Sequence, residues 1–126
     1  MSGPPPRSMS TMLADVVTRL FADLVTKELI EAAERGEWPV ALWRAVEENG
    51  LTWPLVPESR GGAGITWRET YDIVRAAGRH AVPIPLTETV VASWLLASAG
   101  LDVPSGPLTL APVHADDRLC LSRAGS

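Results

Sequence analysis

Apolar residues recur at three- and four-residue steps through most of this chain, and the steps divide into four runs. The first joins Leu13, Val17, Leu20 and Leu24, with Val16 and Phe21 beside them, into one stripe of a helix expected from Thr11 to about Arg35. Asp15 in its first turn and Arg35 in its last both suit the helix dipole, and Gly36 supplies a stop. A second helix is predicted from Pro39, whose fixed φ suits a first turn, to Asn49, with Val40, Trp43 and Val46 buried and Gly50 ending it. The third has the clearest start: Thr66 as N-cap and Glu69 three residues on form a capping box. It is predicted from Trp67 to about Gly78, with Tyr71, Val74 and Ala77 inward. The fourth, capped by Thr87, carries Val90, Val91, Trp94 and Leu95, and Gly100 sits where a left-handed cap belongs, with Leu101 placed to pack back.

Between these runs the pattern changes. In LTWPLVP, Pro54 and Pro57 cannot donate to a sheet ladder, which predicts an extended crossing segment and not a central strand. Pro83 and Pro85 end the third helix. Beyond Pro104 the period falls to two: Leu108 and Leu110 alternate with polar or small neighbours, as do Leu119 and Leu121, and Ala115-Asp116-Asp117 reads as the turn between them. That is a β-hairpin in outline, and two strands alone are marginal in water, so residues 105–126 read as the start of an incomplete β-domain. Residues 1–9, with three consecutive prolines, read as a flexible lead. The fold class expected is mainly α: an up-and-down bundle of about four helices over residues 10–104, followed by the incomplete hairpin.

Composition narrows the function classes. A 46% apolar share in 126 residues supports one packed domain. The 15 acidic and 11 basic side chains are interspersed, for a formal charge of −4, so no basic face is gathered for nucleic acid. The N-terminus has no apolar core of a signal peptide, the longest mainly apolar run, Val90 to Leu101, falls short of the ~20 residues a bilayer demands, and Cys120 is the one cysteine. A cytoplasmic protein is expected, with no membrane or nucleic-acid partner.

Candidate chemistry is thin. Gly61-Gly62-Ala63-Gly64 ahead of a helix invites a phosphate, but a third glycine would fall at Trp67 and no Gly-Lys-Ser/Thr follows. A turn letting two backbones approach closely accounts for it better. His80, His114 and Cys120 are too scattered for metal ligation, no nucleophile elbow exists, and Glu47 and Glu48 project about 100° apart on a helix. His80 reads as a boundary or capping side chain. No catalytic, cofactor-binding or metal-binding residue is assigned. Five tryptophans read as core filling, with Trp67, beside the glycine loop, as the one closest to a site.

In this order, the helix ending Glu48-Asn49-Gly50-Leu51, the Val56-Pro57-Glu58 step, Gly61-Gly62-x-Gly64 and the helix ending Gly78-Arg79 resemble the N-terminal helical domain of the acyl-CoA dehydrogenase family. The resemblance covers roughly Leu13 to Leu110, and its short PIPLTET passage looks like the smaller, divergent members. It implies an FAD-dependent oxidoreductase acting on acyl-CoA thioesters, in which a carboxylate removes the α-proton while the β-hydride passes to flavin. It also implies that the flavin and catalytic-base regions lie in later domains, so that this chain looks truncated, is inactive alone, and binds no FAD by itself. What the domain would supply is one wall of the acyl pocket, for which Glu58, Gly61, Gly62, Gly64 and Trp67 are the candidates. Its partners would be acyl-CoA and the missing domains or a partner dehydrogenase subunit. The alternatives are a non-catalytic subunit that completes another chain's site, or a small helical protein-interaction domain.

Overall fold

The computed structural model describes residues 9–111, 116 and 118. They form five α-helices: α1 Met9–Leu24, α2 Lys27–Glu34, α3 Val40–Glu48, α4 Trp67–Arg79 and α5 Leu86–Ser98. Five replace the expected four because the first run breaks at residues 25–26. Thr26 adopts extended backbone, its side chain accepts from the Leu29 amide at 3.1 Å, and Glu28 follows in the first turn, so a new helix is capped where one helix was expected to continue. The start signal was present in the sequence but lay inside an unbroken apolar rhythm.

The core gathers Val17 and Phe21 of α1, Leu42 and Val46 of α3, Leu51, Ile73 and Ala76 of α4, and Leu86 and Val90 of α5. Two faces differ from expectation. Val16 and Val40 are exposed. In α3 the buried set is Leu42, Trp43 and Val46. In α4 the inward residues are Thr70, Ile73 and Ala76, one position before the predicted set, and Tyr71 is 61% exposed. Thr70 can be buried because its hydroxyl donates to the Thr66 carbonyl at 2.8 Å, which satisfies it within its own helix. Ala77 still packs against the core.

Helix ends were well marked. After α2, α3 and α5, the amides of Glu37, Leu51 and Leu101 reach back to Ala32, Val46 and Leu96 at 2.9–3.1 Å, past Gly36, Gly50 and Gly100. Leu101 makes that backbone bond, but its side chain remains exposed. After α4 the same turn falls on Ala81, at φ 49°, with His80 as the C-cap residue and Val82 bonding back to Ala77. The fourth helix begins two residues earlier than expected: Pro85 is its N-cap and Thr87 lies in its first turn.

The proline segment is not extended. It closes on itself in turns: the Trp53 carbonyl accepts from Val56 and Ala63, the Pro54 carbonyl from Ile65, and the Val56 carbonyl from Gly64. A Cβ on Gly62 would stand 2.0 Å from the Val56 carbonyl oxygen, a distance no side chain tolerates. Arg60, held in the short 3-10 turn Glu58–Arg60, extends its guanidinium to the Ala97 carbonyl at 2.9 Å and to the Leu101 carbonyl, capping α5 from outside.

Among the described residues there is no strand, and the expected hairpin is not seen. Its first arm, at Leu108 to Leu110, is irregular. The Leu108 amide donates to the Thr89 hydroxyl at 3.1 Å instead of to a second strand; that hydroxyl shares its one proton between the Pro85 carbonyl at 2.7 Å and, more weakly, the Leu108 carbonyl at 3.3 Å. Thr109 donates to Glu88 at 2.6 Å, and the Gly106 amide to Glu47 at 3.3 Å. The second arm, at Leu119 to Leu121, lies outside the described residues, as do His114 and Cys120.

Gly62→Ala is expected to lower unfolding free energy by about 3 kcal/mol or more, because backbone must move to admit the methyl. Gly78→Ala, whose added Cβ meets nothing within 4 Å inside a helix, should raise stability by about 0.5–1 kcal/mol. Urea denaturation of both variants checks the pair. Arg60→Met should cost about 1 kcal/mol and speed amide exchange at the end of α5 before it does so in α1.

Candidate functional site

Of the five candidate wall residues, Gly61, Gly62 and Trp67 line two separate concavities, and Glu58 and Gly64 line neither. Gly61 and Gly62 line the first, a hollow of about 180 Å³ shared with Glu47, Gly50, Thr52, Trp53 and Ala63. Gly61 sits against the Trp53 ring, where a Cβ would be 3.7 Å from Cζ3. Glu58 and Gly64 pack on each other, with the Glu58 Cγ 3.2 Å from a Cβ placed on Gly64. Trp67 lines the second, a slot of about 270 Å³ between α4 and α5, with Thr70, Tyr71, Val74, Thr87, Val90 and Val91.

The loop determines what the first hollow can hold. From Arg60 to Thr66 every amide donates within the chain: Arg60 and Gly62 to Pro57, Gly61 to Glu58, Ala63 to Trp53, Gly64 to Val56, Ile65 to Pro54, and Thr66 to the Glu69 carboxylate at 2.9 Å. A phosphate needs such amides unpaired. The glycines here serve a close backbone crossing, so these residues do not fit the pyrophosphate of a flavin dinucleotide. Among the described residues no group of three or more His, Cys, Asp or Glu could hold a metal ion.

The slot is of another kind. Its lining carries no charged group. The capping box fixes the first turn of α4, and that turn sets Trp67 edge-on to Trp94, ring centroids 4.9 Å apart and planes at 74°. Trp67 remains 52% exposed despite this contact. The residues predicted to face inward, Tyr71 and Val74, are the ones that open onto the slot. Sequence reasoning named every slot residue except Thr70, but took only Trp67 as a wall candidate and gave Tyr71 and Val74 a core role. The signal that separates them is Thr70, whose self-satisfied hydroxyl lets α4 turn its Thr70/Ile73 edge inward.

α5 completes the picture. It is rich in apolar residues around its whole circumference, with Glu88 as its one charged residue. A helix of that kind is ordinarily enclosed. Its Leu86, Thr89, Val90, Ala92 and Ser93 are buried, whereas Leu95 is exposed and Val91 and Trp94 are half-buried.

A polar contact that sequence reasoning did not anticipate is Glu47, which lines the first hollow and receives the Gly106 amide. His80 is the other. Its Nε2 is buried with no hydrogen-bond partner, and its ring lies 6.1 Å from Phe21, away from either concavity's lining.

Comparison with known proteins gives two findings. Residues 8–102 match the family described as acyl-CoA dehydrogenase, N-terminal domain. A probable FMNH2-dependent monooxygenase of Pseudomonas putida is 30% identical over 63 residues, which are half of this chain and 16% of that protein. No solved structure matches.

A double-mutant cycle of Trp67→Ala and Trp94→Ala should give a coupling of about 0.5–1.5 kcal/mol, the range of an edge-to-face aromatic pair. Thermal unfolding of the four proteins measures it, and additive losses would remove the pair as an organiser of the slot.

Proposed function

Because the chain belongs to the acyl-CoA dehydrogenase family, matching its N-terminal domain over residues 8–102, we propose that it is the substrate-facing helical part of an FAD-dependent enzyme that desaturates the α,β bond of acyl-CoA thioesters. The observation that carries this reading is the uncharged slot between α4 and α5, with Trp67 half-exposed at its edge. Such a surface stabilises a hydrocarbon by removing it from water, at about 25 cal/mol per Å² buried. It offers nothing to polarise a carbonyl or accept a proton.

The division of labour follows from the lining. No carboxylate stands in the slot, and the loop amides from Arg60 to Thr66 are paired within the chain. In this reading the base and the flavin are held by other domains, the present residues bind and orient the acyl group and exclude water, and the domain is inactive alone. Its partners are acyl-CoA and the parts that carry the base, whether on the same chain or on a dehydrogenase subunit. Glu58, Gly61, Gly62 and Gly64 support the wall by fixing the start of α4, and Trp67 forms its surface. No helix among the described residues is long and apolar enough to cross a membrane, and we place the activity in the cytoplasm.

A second reading has an observation of its own. Similarity to a protein described as FMNH2-dependent monooxygenase over half of this chain favours a reduced-flavin reaction with oxygen in place of desaturation. The wall would serve either chemistry, since both need an apolar substrate held away from water.

The 126-residue chain, given oxidised flavin, a dye acceptor and acyl-CoA, is expected to form no enoyl thioester. Combined with a family β-domain and second helical bundle, it should do so, and Val91→Asp should weaken acyl-CoA binding roughly tenfold or more by setting a carboxylate against the hydrocarbon. Turnover by the lone chain would overturn the division of labour. Oxygen incorporation that requires reduced flavin, with no enoyl product, would select the second reading.

A further inference from the structure

The first hollow carries a negative charge that no described cation answers. Glu47 and Trp53 line it together with Gly50, Thr52 and the loop residues 61–63. Glu47 is half-buried; its Oε2 takes the Gly106 amide at 3.3 Å, and its Oε1 receives no hydrogen bond from a described residue. Two arginines stand near it in sequence without reaching it. Arg44, one turn earlier on α3, forms no ion pair among the described residues, and Arg60 sends its guanidinium to the Ala97 and Leu101 carbonyls.

The backbone of the lining has the same polarity. The amides of Gly50, Gly61, Gly62 and Ala63 donate within the chain, to the Glu47, Glu58, Pro57 and Trp53 carbonyls, whereas the carbonyls of those four residues accept nothing from a described residue. Acceptors are in surplus where these donors are used up, the reverse of an anion site. A ligand that brings N–H groups and positive charge meets both the carboxylate and the carbonyls. An indole is the strongest aromatic partner for a cation, and Trp53 supplies one to the same hollow. The volume, about 180 Å³, lies under the roughly 300–1,000 Å³ of small-molecule sites and suits the end of one side chain. Of the two basic side chains arginine fits better, because its guanidinium is flat against a ring and offers a fork of N–H groups to a carboxylate, where an ammonium is a compact point charge.

We propose that this hollow, between the end of α3 and the glycine loop, is a socket for an arginine side chain of a partner polypeptide, with Glu47 as its carboxylate and Trp53 as its aromatic wall. The chain's formal charge of −4 favours the approach of such a basic segment. The socket is independent of the pocket-wall reading, since it uses neither α5 nor the uncharged slot. Its loop is held closed by its own hydrogen bonds, so the site is formed before the partner arrives.

The test titrates the isotope-labelled full chain with a capped Ala-Gly-Arg-Gly-Ala peptide, its citrulline counterpart, and N-butylguanidinium, while NMR follows the Trp53 indole and the Gly62 amide. The arginine peptide should shift both saturably, and citrulline, which has the same shape without the charge, should bind roughly tenfold more weakly or worse. Glu47→Gln keeps an oxygen for the Gly106 amide but removes the charge, and it should weaken the arginine peptide to the same degree. Trp53→Leu should weaken it about threefold. Glu48→Gln, which removes a charge one residue along and leaves the hollow intact, should change nothing and guards against an effect of net charge alone. Equal binding of the citrulline peptide, or an equal loss in Glu48→Gln, would overturn the socket. If N-butylguanidinium binds as tightly as the arginine peptide, the hollow takes a free cation and the polypeptide partner is overturned. If neither Trp53 nor Gly62 responds to any of the three, the hollow binds no cation, and the acyl pocket reading is untouched.

Discussion

The arrangement of this domain depends on one close approach of backbone to backbone, at Gly62 beneath the Val56 carbonyl. A methyl group at that position has no space, so the crossing exists only because the residue lacks a Cβ. Around it the Trp53, Pro54 and Val56 carbonyls take up the amides of Ala63, Ile65 and Gly64. The loop is thereby closed by its own hydrogen bonds and needs no ligand to shape it. Two outward connections follow. Arg60 leaves on one side to cap the end of α5, and Thr66 leaves on the other to cap the start of α4. One turn thus fixes the facing ends of both slot helices, and the Trp67–Trp94 contact follows from that registration.

Much of this was legible in the sequence because the signals are local. The capping box needs Thr66 and Glu69 three residues apart, and it forms as read. The left-handed turns after α2, α3 and α5 fall on glycines, and the close backbone crossing was the preferred account of the glycine loop. What the sequence obscured was the choice between two apolar faces. α4 carries Trp67, Tyr71 and Val74 on one side and Ile73, Ala76 and Ala77 on the other, so periodicity alone admits either as the inward set. Packing against α1 decides it, and that partner surface is distant in sequence. The break at Thr26 was hidden for a related reason: an apolar rhythm continued through a cap residue. The alternation at Leu108 and Leu110 promised a strand, but a strand requires a ladder partner, and the Leu108 amide is taken up by the Thr89 hydroxyl.

The misassigned face is also the one that lines the candidate site. Had Tyr71 and Val74 packed inward, α4 would present Thr70 and Ile73 to solvent, and no slot would lie between α4 and α5. Burying Thr70 instead costs little, since its hydroxyl stays paired with Thr66. That small polar contact frees three apolar residues for another use. The candidate site therefore arises from a competition between two nearly equivalent helix faces, which the interior and the slot resolve together.

α5 carries the same logic further. A helix that is apolar around its circumference gains most when enclosed on every side. Here the core covers one side, and the slot and Leu95 leave another open. Such a surface persists in a folded protein when something apolar meets it in function, because exposed hydrocarbon otherwise favours association. The slot is uncharged, and the amides from Arg60 to Thr66, in the loop that precedes α4, are all paired. What meets it would therefore be selected by lack of charge, and under the proposed function proton and electron transfer fall to groups outside its lining.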